Sequence, residues 1–211
     1  FALLIRLGTI LFAFFLYPCS LASSGPALPS SGTVTAVFDG DTILLHTGEK
    51  VRYLGIDAPE VAHPEVPADC YGEEARRFNR ELVLHKMVYL RYDRVTIDSH
   101  GRLLAYVFTA DGRCVNMELV INGCALIFRS DEGFEKFNEF LTHQRRAIRE
   151  RGGMWGQCTV KPSDYYLGNR RSHVFHRPEC SYGRTTGVRN RIRFESRNAA
   201  LEEAFSPCRR C

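Results

Sequence analysis

Apolar and polar side chains alternate with period two along five short stretches of the first half of the chain, at about 33–38, 41–46, 50–57, 86–93 and 102–110, most clearly at Val88, Leu90 and Tyr92. Alternation of that kind buries one face of an extended chain, so each stretch predicts a β-strand. Elsewhere the spacing lengthens to three and four. Ala75, Phe78 and Leu82 fall on one face of a helix near 71–84, residues 115–120 predict a short helix, and Phe134, Phe137, Leu141 and Ile148 stripe a third that runs to about 151. These stripes are read as core. Five short strands with helices between them suit a small Greek-key barrel of the α+β class.

The two ends of the chain break this pattern. Near the beginning, Arg6 precedes an apolar run from Leu7 to Tyr17, and Ser20-Leu21-Ala22 offers small residues where a signal peptidase would cut. Residues 1–22 are therefore expected to be a secretory signal whose true start is missing or miscalled, and the mature protein to be secreted or periplasmic without stable membrane association. A Ser/Gly/Pro-rich linker over 23–31 follows, then the barrel over 32–157, a second linker over 158–165, and a distinct tail over 166–211.

Charge sharpens the division. The chain's net +4 is unevenly spread: residues 166–211 hold ten Arg and no Lys against four acids, whereas residues 23–165 hold 17 basic and 20 acidic groups. An arginine-only bias suits fork-shaped pairing with phosphates, so nucleic acid, DNA and/or RNA, is the expected partner. A merely solvated basic surface is the alternative. No protein partner can be inferred.

Chemistry is concentrated at predicted strand ends. Asp39-Gly40-Asp41-Thr42, Val51-Arg52-Tyr53-Leu54-Gly55-Ile56-Asp57-Ala58-Pro59-Glu60 and Asp98-Ser99-His100-Gly101-Arg102 bring carboxylates and guanidinium groups into one segment. Taken singly each is ordinary, since Asp-Gly between apolar runs is foremost a hairpin signal. Together they equip a site for cutting phosphodiesters. Hard oxygen ligands (Asp41, Asp57) suit a divalent cation, a carboxylate (Glu60) can take a proton from water, and Arg52 and Arg102 can stabilise phosphorane charge.

In order and spacing these residues resemble the staphylococcal (thermo)nuclease family over about 33–155. The resemblance implies an OB-type five-stranded barrel capped by three helices. It also implies Ca²⁺ held by Asp41, Asp57 and the carbonyl of Ala58, catalysis by Arg52, Glu60 and Arg102, and 3′-phosphate products. Ser99-His100 stands where the family has Lys-Tyr, and the family's later tyrosine pair is absent near Phe128 and Arg129, so base preference does not carry over. The alternative reading is a catalytically silent nucleic-acid-binding barrel, against which the retention of all five polar residues argues.

In the tail, His176-x3-Cys180 and Cys208-x2-Cys211 are two ligand pairs separated by 27 residues, a pattern expected to gather Zn²⁺. Disulfides are the competing use, and His173 the competing imidazole. Gly168-Asn169-Arg170, Phe194-Glu195-Ser196 and Pro207-Cys208 are similar to the Ada-type metal-binding domain, with Ser196 expected to cap a short helix through Phe205. In that family the first position of the Cys-x3-Cys pair is a methyl-accepting thiolate. Here it is His176, which cannot accept the methyl group, so a zinc-stabilised DNA-docking module is the expectation. Few large apolar groups are expected to support it without metal. Of the remaining cysteines, Cys70, Cys114, Cys124 and Cys158 allow three pairings; Cys70 with Cys158 is one, and free thiols at Cys114 and Cys124 are an alternative.

Overall fold

The computed structural model describes residues 27–64, 67–129 and 132–211, so the expected signal segment lies outside it. Strands β1 (Ser31–Val37), β2 (Thr42–Leu45), β3 (Lys50–Tyr53), β5 (Met87–Arg91) and β6 (Leu103–Thr109) close a barrel in the order β1-β2-β3-β6-β5. The β3–β6 pairing is parallel and the others run antiparallel. Alternation does what it predicts: in β5 only Val88 and Leu90 point inward, meeting Val34, Ile43, Val51, Tyr53, Ala105 and Val107 in the core. Helices α1 (Gly72–Val83), α2 (Val115–Ile121) and α3 (Phe137–Glu150) cover it. Phe134 lies before the third helix rather than inside it, packed edge-on against Phe137.

The expected strand over 50–57 is interrupted. β3 ends at Tyr53, Gly55 adopts φ +79°, and a separate two-residue strand β4 (Ile56–Asp57) pairs with β7 (Leu126–Ile127) instead of the barrel. A side chain on Gly55 would lie 2.8 Å from the Phe134 ring, so the turn needs glycine for both conformation and space. Leu54 is pinned beside it, because the buried Asn116 amide donates to the Leu54 carbonyl at 2.9 Å. The break moves Asp57 off the barrel wall and turns it toward Asp41.

After the short helix α4 (Met154–Gln157), the tail forms a second sheet in the order β10-β8-β9-β11. It is built from β8 (Tyr166–Asn169), β9 (Val174–His176), β10 (Arg191–Phe194) and β11 (Ser206–Pro207), with β9–β11 parallel. Two helices accompany it, α5 (Ser181–Arg184) and α6 (Arg197–Glu202), the latter capped by the Ser196 hydroxyl accepting from the Ala199 N–H at 3.1 Å. The tail's apolar groups do more than its composition suggests. Tyr166, Phe175, Phe194, Leu201 and Phe205 form a cluster, and they complete it with Ile148 and Trp155 from the α3–α4 region.

That shared core is reinforced by polar contacts. Gln144 of α3, almost fully buried, accepts from the Ile127 N–H at 2.7 Å and donates to the Leu201 carbonyl at 2.6 Å, while Ser206 Oγ donates to the Ile127 carbonyl at 3.1 Å. Buried amides with both ends satisfied fix relative position strongly. Tail and barrel therefore meet at β7, the partner of β4.

Candidate active site

Each carboxylate expected to matter is placed by local backbone chemistry. The Asp39 carboxylate accepts from the Asp41 N–H at 2.8 Å, turning the chain into β2, and the Asp39 carbonyl is held by the Asn79 amide of α1 at 3.1 Å. Asn79 accepts in turn from the buried Tyr53 hydroxyl at 2.8 Å. Gly40 is required because a Cβ there would come within 2.5 Å of that of Ala58. Asp41 is left 4% exposed, its Oδ2 accepting the Ala58 N–H at 2.6 Å and its Oδ1 the Thr42 hydroxyl at 3.1 Å.

Arg52 bridges the two expected metal ligands. Its Nη1 lies 2.9 Å from Asp41 and its Nη2 2.8 Å from Asp57 Oδ1, with a further Nη1 bond to the Ile56 carbonyl at 2.8 Å. One guanidinium spanning both carboxylates shows that they converge. Burial nevertheless pushes the Asp41 carboxyl up to about 8, against Arg52, whose charge favours ionisation, while Asp39 and Asp57 add to the rise and the Ala58 N–H opposes it. A buried acid under-supplied with positive charge is the electrostatic condition that a bound dication relieves. Asp41 and Asp57, 2.9 and 2.8 Å from one guanidinium, are two converging hard-oxygen ligands that fit a divalent cation such as calcium.

Glu60 stands on a loop fixed from both sides. Its N–H donates to Asp69 Oδ2 at 3.1 Å, its carbonyl accepts the Asp69 N–H at 2.9 Å, and Gly72 opens α1 so close that a Cβ would meet the Glu60 carbonyl at 2.2 Å. Next to Asp69, Cys70 is disulfide-bonded to Cys158, 88 residues away in sequence. Cys114 and Cys124 are free thiols. Arg102 immediately precedes β6, whose Leu103 is paired with Val51, and its Nε bonds Asp98 at 2.7 Å. Burial alone would raise the Asp98 carboxyl, but hydrogen bonds from Arg102 and from the His100 N–H outweigh it and hold it below its usual value.

One participant is invisible in the sequence. Arg209, inside the Cys208-x2-Cys211 pair, reaches into this site: its Nη2 lies 2.7 Å from Asp57 Oδ1 and its Nη1 bonds Glu60 Oε1. The pattern advertises the cysteines, and nothing in spacing or composition tells which intervening arginine faces a carboxylate 149 residues upstream.

The second cluster joins His176, Cys180, Cys208 and Cys211, whose ligand atoms all lie within 4.8 Å of one another. His176 Nδ1 stands 3.5 Å from Cys180 Sγ and 3.7 Å from Cys211 Sγ. A zinc tetrahedron with Zn–S near 2.3 Å and Zn–N of about 2.0–2.1 Å has S···N edges of about 3.6 Å, so the residues fit that ion. Burial holds the His176 imidazole below its usual value, favouring the neutral, ligating form. The three cysteines are not disulfide-bonded, and His173 instead packs its ring against Phe205.

Comparison with known proteins agrees with the barrel. Residues 50–157 match the family model described as "Staphylococcal nuclease homologue". The chain belongs to the staphylococcal nuclease family. It is 38% identical over 106 residues to a protein named Thermonuclease from Staphylococcus intermedius, covering 49% of this chain and 62% of that one. It is 35% identical over 130 residues to Endonuclease YncB of Bacillus subtilis, covering 59% of this chain and 61% of the relative. A longer alignment, 31% identical and covering 88% of this chain, reaches only 18% of Endonuclease YhcR from the same species. The chain thus spans about three fifths of the length of the first two relatives. No helix among the described residues is long and apolar enough to cross a membrane.

Proposed function

We propose that this member of the staphylococcal nuclease family is an exported, calcium-dependent phosphodiesterase acting on DNA and/or RNA. The observation that carries the reading is the convergence of Asp41 and Asp57 on one guanidinium, with Glu60 linked to the same cluster through Arg209. Calcium, held by Asp41, Asp57 and the Ala58 carbonyl, would supply positive charge to the phosphate oxygens and water ligands in a loose oxygen shell. Glu60 takes a proton from the attacking water. Arg52 and Arg102 stabilise the charge that builds on the phosphate oxygens as water oxygen bonds to phosphorus and the bond to the 5′ oxygen breaks, that oxygen taking its proton from solvent water and leaving a 3′-phosphate. The same five residues argue against a silent binding barrel.

The test is incubation of the protein with DNA and with RNA in Ca²⁺, in Mg²⁺ and in chelator. Cleavage should require Ca²⁺ and fall well below that level in Mg²⁺, because a sparse two-carboxylate site suits a large, flexible ion better than one demanding near-ideal octahedral geometry. Equal activity in Mg²⁺ alone would remove the calcium assignment. No cleavage under any condition would remove the nuclease reading itself.

For the tail, an Ada-like zinc module that docks nucleic acid is the reading best supported, with His176, Cys180, Cys208 and Cys211 as ligands. Imidazole at the first position cannot perform methyl transfer, and the arginine-rich surface suits phosphate backbones. Metal analysis should return one zinc per chain, lost in Cys208→Ser. Zinc absent from both parent and variant would return these cysteines to a non-metal role.

A further inference from the structure

Arg209 is not where a docking arginine would be. It sits on the two carboxylates that the proposed nuclease reaction needs for metal binding and proton transfer. Its position is set by backbone structure rather than by a long arm reaching at random. Ser206 Oγ is tied to the Ile127 carbonyl of β7, and β7 pairs with β4, which carries Asp57. Strand β11 runs parallel to β9, and the Cys208 N–H donates to the Phe175 carbonyl at 2.9 Å. Arg209 then follows within the pair that joins Cys208 to Cys211. About half of its side chain remains exposed, against 14% for Arg52, so an incoming strand can reach it.

Charge decides what the residue can do there. With every carboxylate ionised, as a bound dication would hold them, Asp41, Asp57 and Glu60 oppose two guanidinium groups, Arg52 and Arg209, leaving one negative charge in excess. A dication and one phosphodiester bring that cluster to neutrality, a balance that disappears if Arg209 is removed. Arg102 brings the Asp98 carboxylate with it on its Nε, so that pair adds no net charge to the count, while its other guanidinium N–H groups are left for the phosphate. A dication held by Asp57 would repel the guanidinium now bonded there, and Glu60 must be released from Arg209 before it can accept a proton. The nearest anion on which Arg209 can then settle is the phosphate itself, which a planar guanidinium can grip in bidentate fashion.

Resting on the nuclease reading above, we propose that Arg209 is a third phosphate-binding arginine of the active site, delivered in cis by the Cys208–Cys211 turn and transferred from Asp57 and Glu60 to the scissile phosphodiester when metal and substrate bind. The tail is thereby part of the reaction centre as well as a docking surface. The ligand class is the phosphodiester of a nucleic-acid strand lying between barrel and tail.

The experiment compares the full chain with Arg209→Ala, Arg209→Lys and Arg210→Ala on a single-stranded oligonucleotide in saturating Ca²⁺. Arg210 turns away onto the Tyr182 ring and hydroxyl and serves as the control. Arg209→Ala should lower kcat/KM by about 10–100-fold, Arg209→Lys should recover part of the loss, and Arg210→Ala should stay within about threefold of the parent, the scale of one phosphate-gripping group among several. A binding measurement separates this from general damage. The dissociation constant for a phosphorothioate oligonucleotide should rise in Arg209→Ala, while calorimetry shows Ca²⁺ binding unchanged or tighter, since a competing cation has gone. Cys211→Ser should reproduce the activity loss, and adding Arg209→Ala to it should cost little more, the non-additivity of two changes acting through one contact.

If Arg209→Ala cuts faster than the parent, Arg209 is a plug and the proposal is overturned. If it cuts and binds like the parent, the contact is incidental and the proposal is again overturned. Both outcomes leave the nuclease reading standing, whereas a parent that cuts nothing removes that reading first.

Discussion

Replacing Glu60 with glutamine should lower kcat by about 10²–10³-fold, the scale seen when one preorganised group of a catalytic site is removed. The amide keeps the size of the carboxylate and loses its ability to take a proton from water. Folding should survive, because the contacts that place this residue are made by its backbone with Asp69 and by the packing of Gly72 against its carbonyl. Thermal unfolding within about 2 °C of the parent, together with unchanged Ca²⁺ binding, would assign the loss to chemistry, since one kcal/mol shifts a chain of this size by about 2–4 °C. A parental rate in Glu60→Gln would remove the role given to it. Arg102→Ala is a companion with a different signature: its expected loss is also about 10²-fold, but it additionally strips Asp98 of the side-chain bond that holds its carboxyl low.

Much of this arrangement is legible in the order of residues alone. Period-two alternation locates the barrel strands because each has one face in water and one in the core, as Val88 and Leu90 show. It fails at Gly55, where an apolar run continues across a break. Alternation reports burial, and both sides of that turn are buried, so only the positive φ and the Phe134 ring reveal where the strand ends. The carboxylates are legible because a dication and a phosphate constrain residue type. Asn79, Asn116 and Gln144 are not, since a single buried amide with both ends bonded leaves no periodic trace, yet they fix Asp39, Leu54 and the tail. Arg209 lies deepest, because its role depends on how two modules meet. The tail's core is hidden for a related reason, its cluster being completed by Ile148 and Trp155 from outside the tail.

Removing the bridge between Cys70 and Cys158 should have the largest effect on stability. A link closing 88 residues restricts the unfolded chain severely, and the chain-entropy account assigns it about 4–5 kcal/mol. For a protein of this size that corresponds to a fall of about 10–20 °C in Tm. The double variant Cys70→Ala/Cys158→Ala is the cleaner test, since it leaves no unpaired thiol, and calorimetry of the parent after reduction should show a fall of the same order. The location gives the loss a functional side. Cys70 adjoins Asp69, which holds the Glu60 backbone, and Cys158 follows α4, whose Trp155 packs against the tail cluster. Loosening this staple should therefore reduce kcat below the melting transition more than it weakens substrate binding, because Glu60 loses position while Arg52 does not. A Tm within about 2 °C of the parent, which the same scaling equates with about 0.5–1 kcal/mol, would show that the unfolded chain is already compact enough for the bridge to add little.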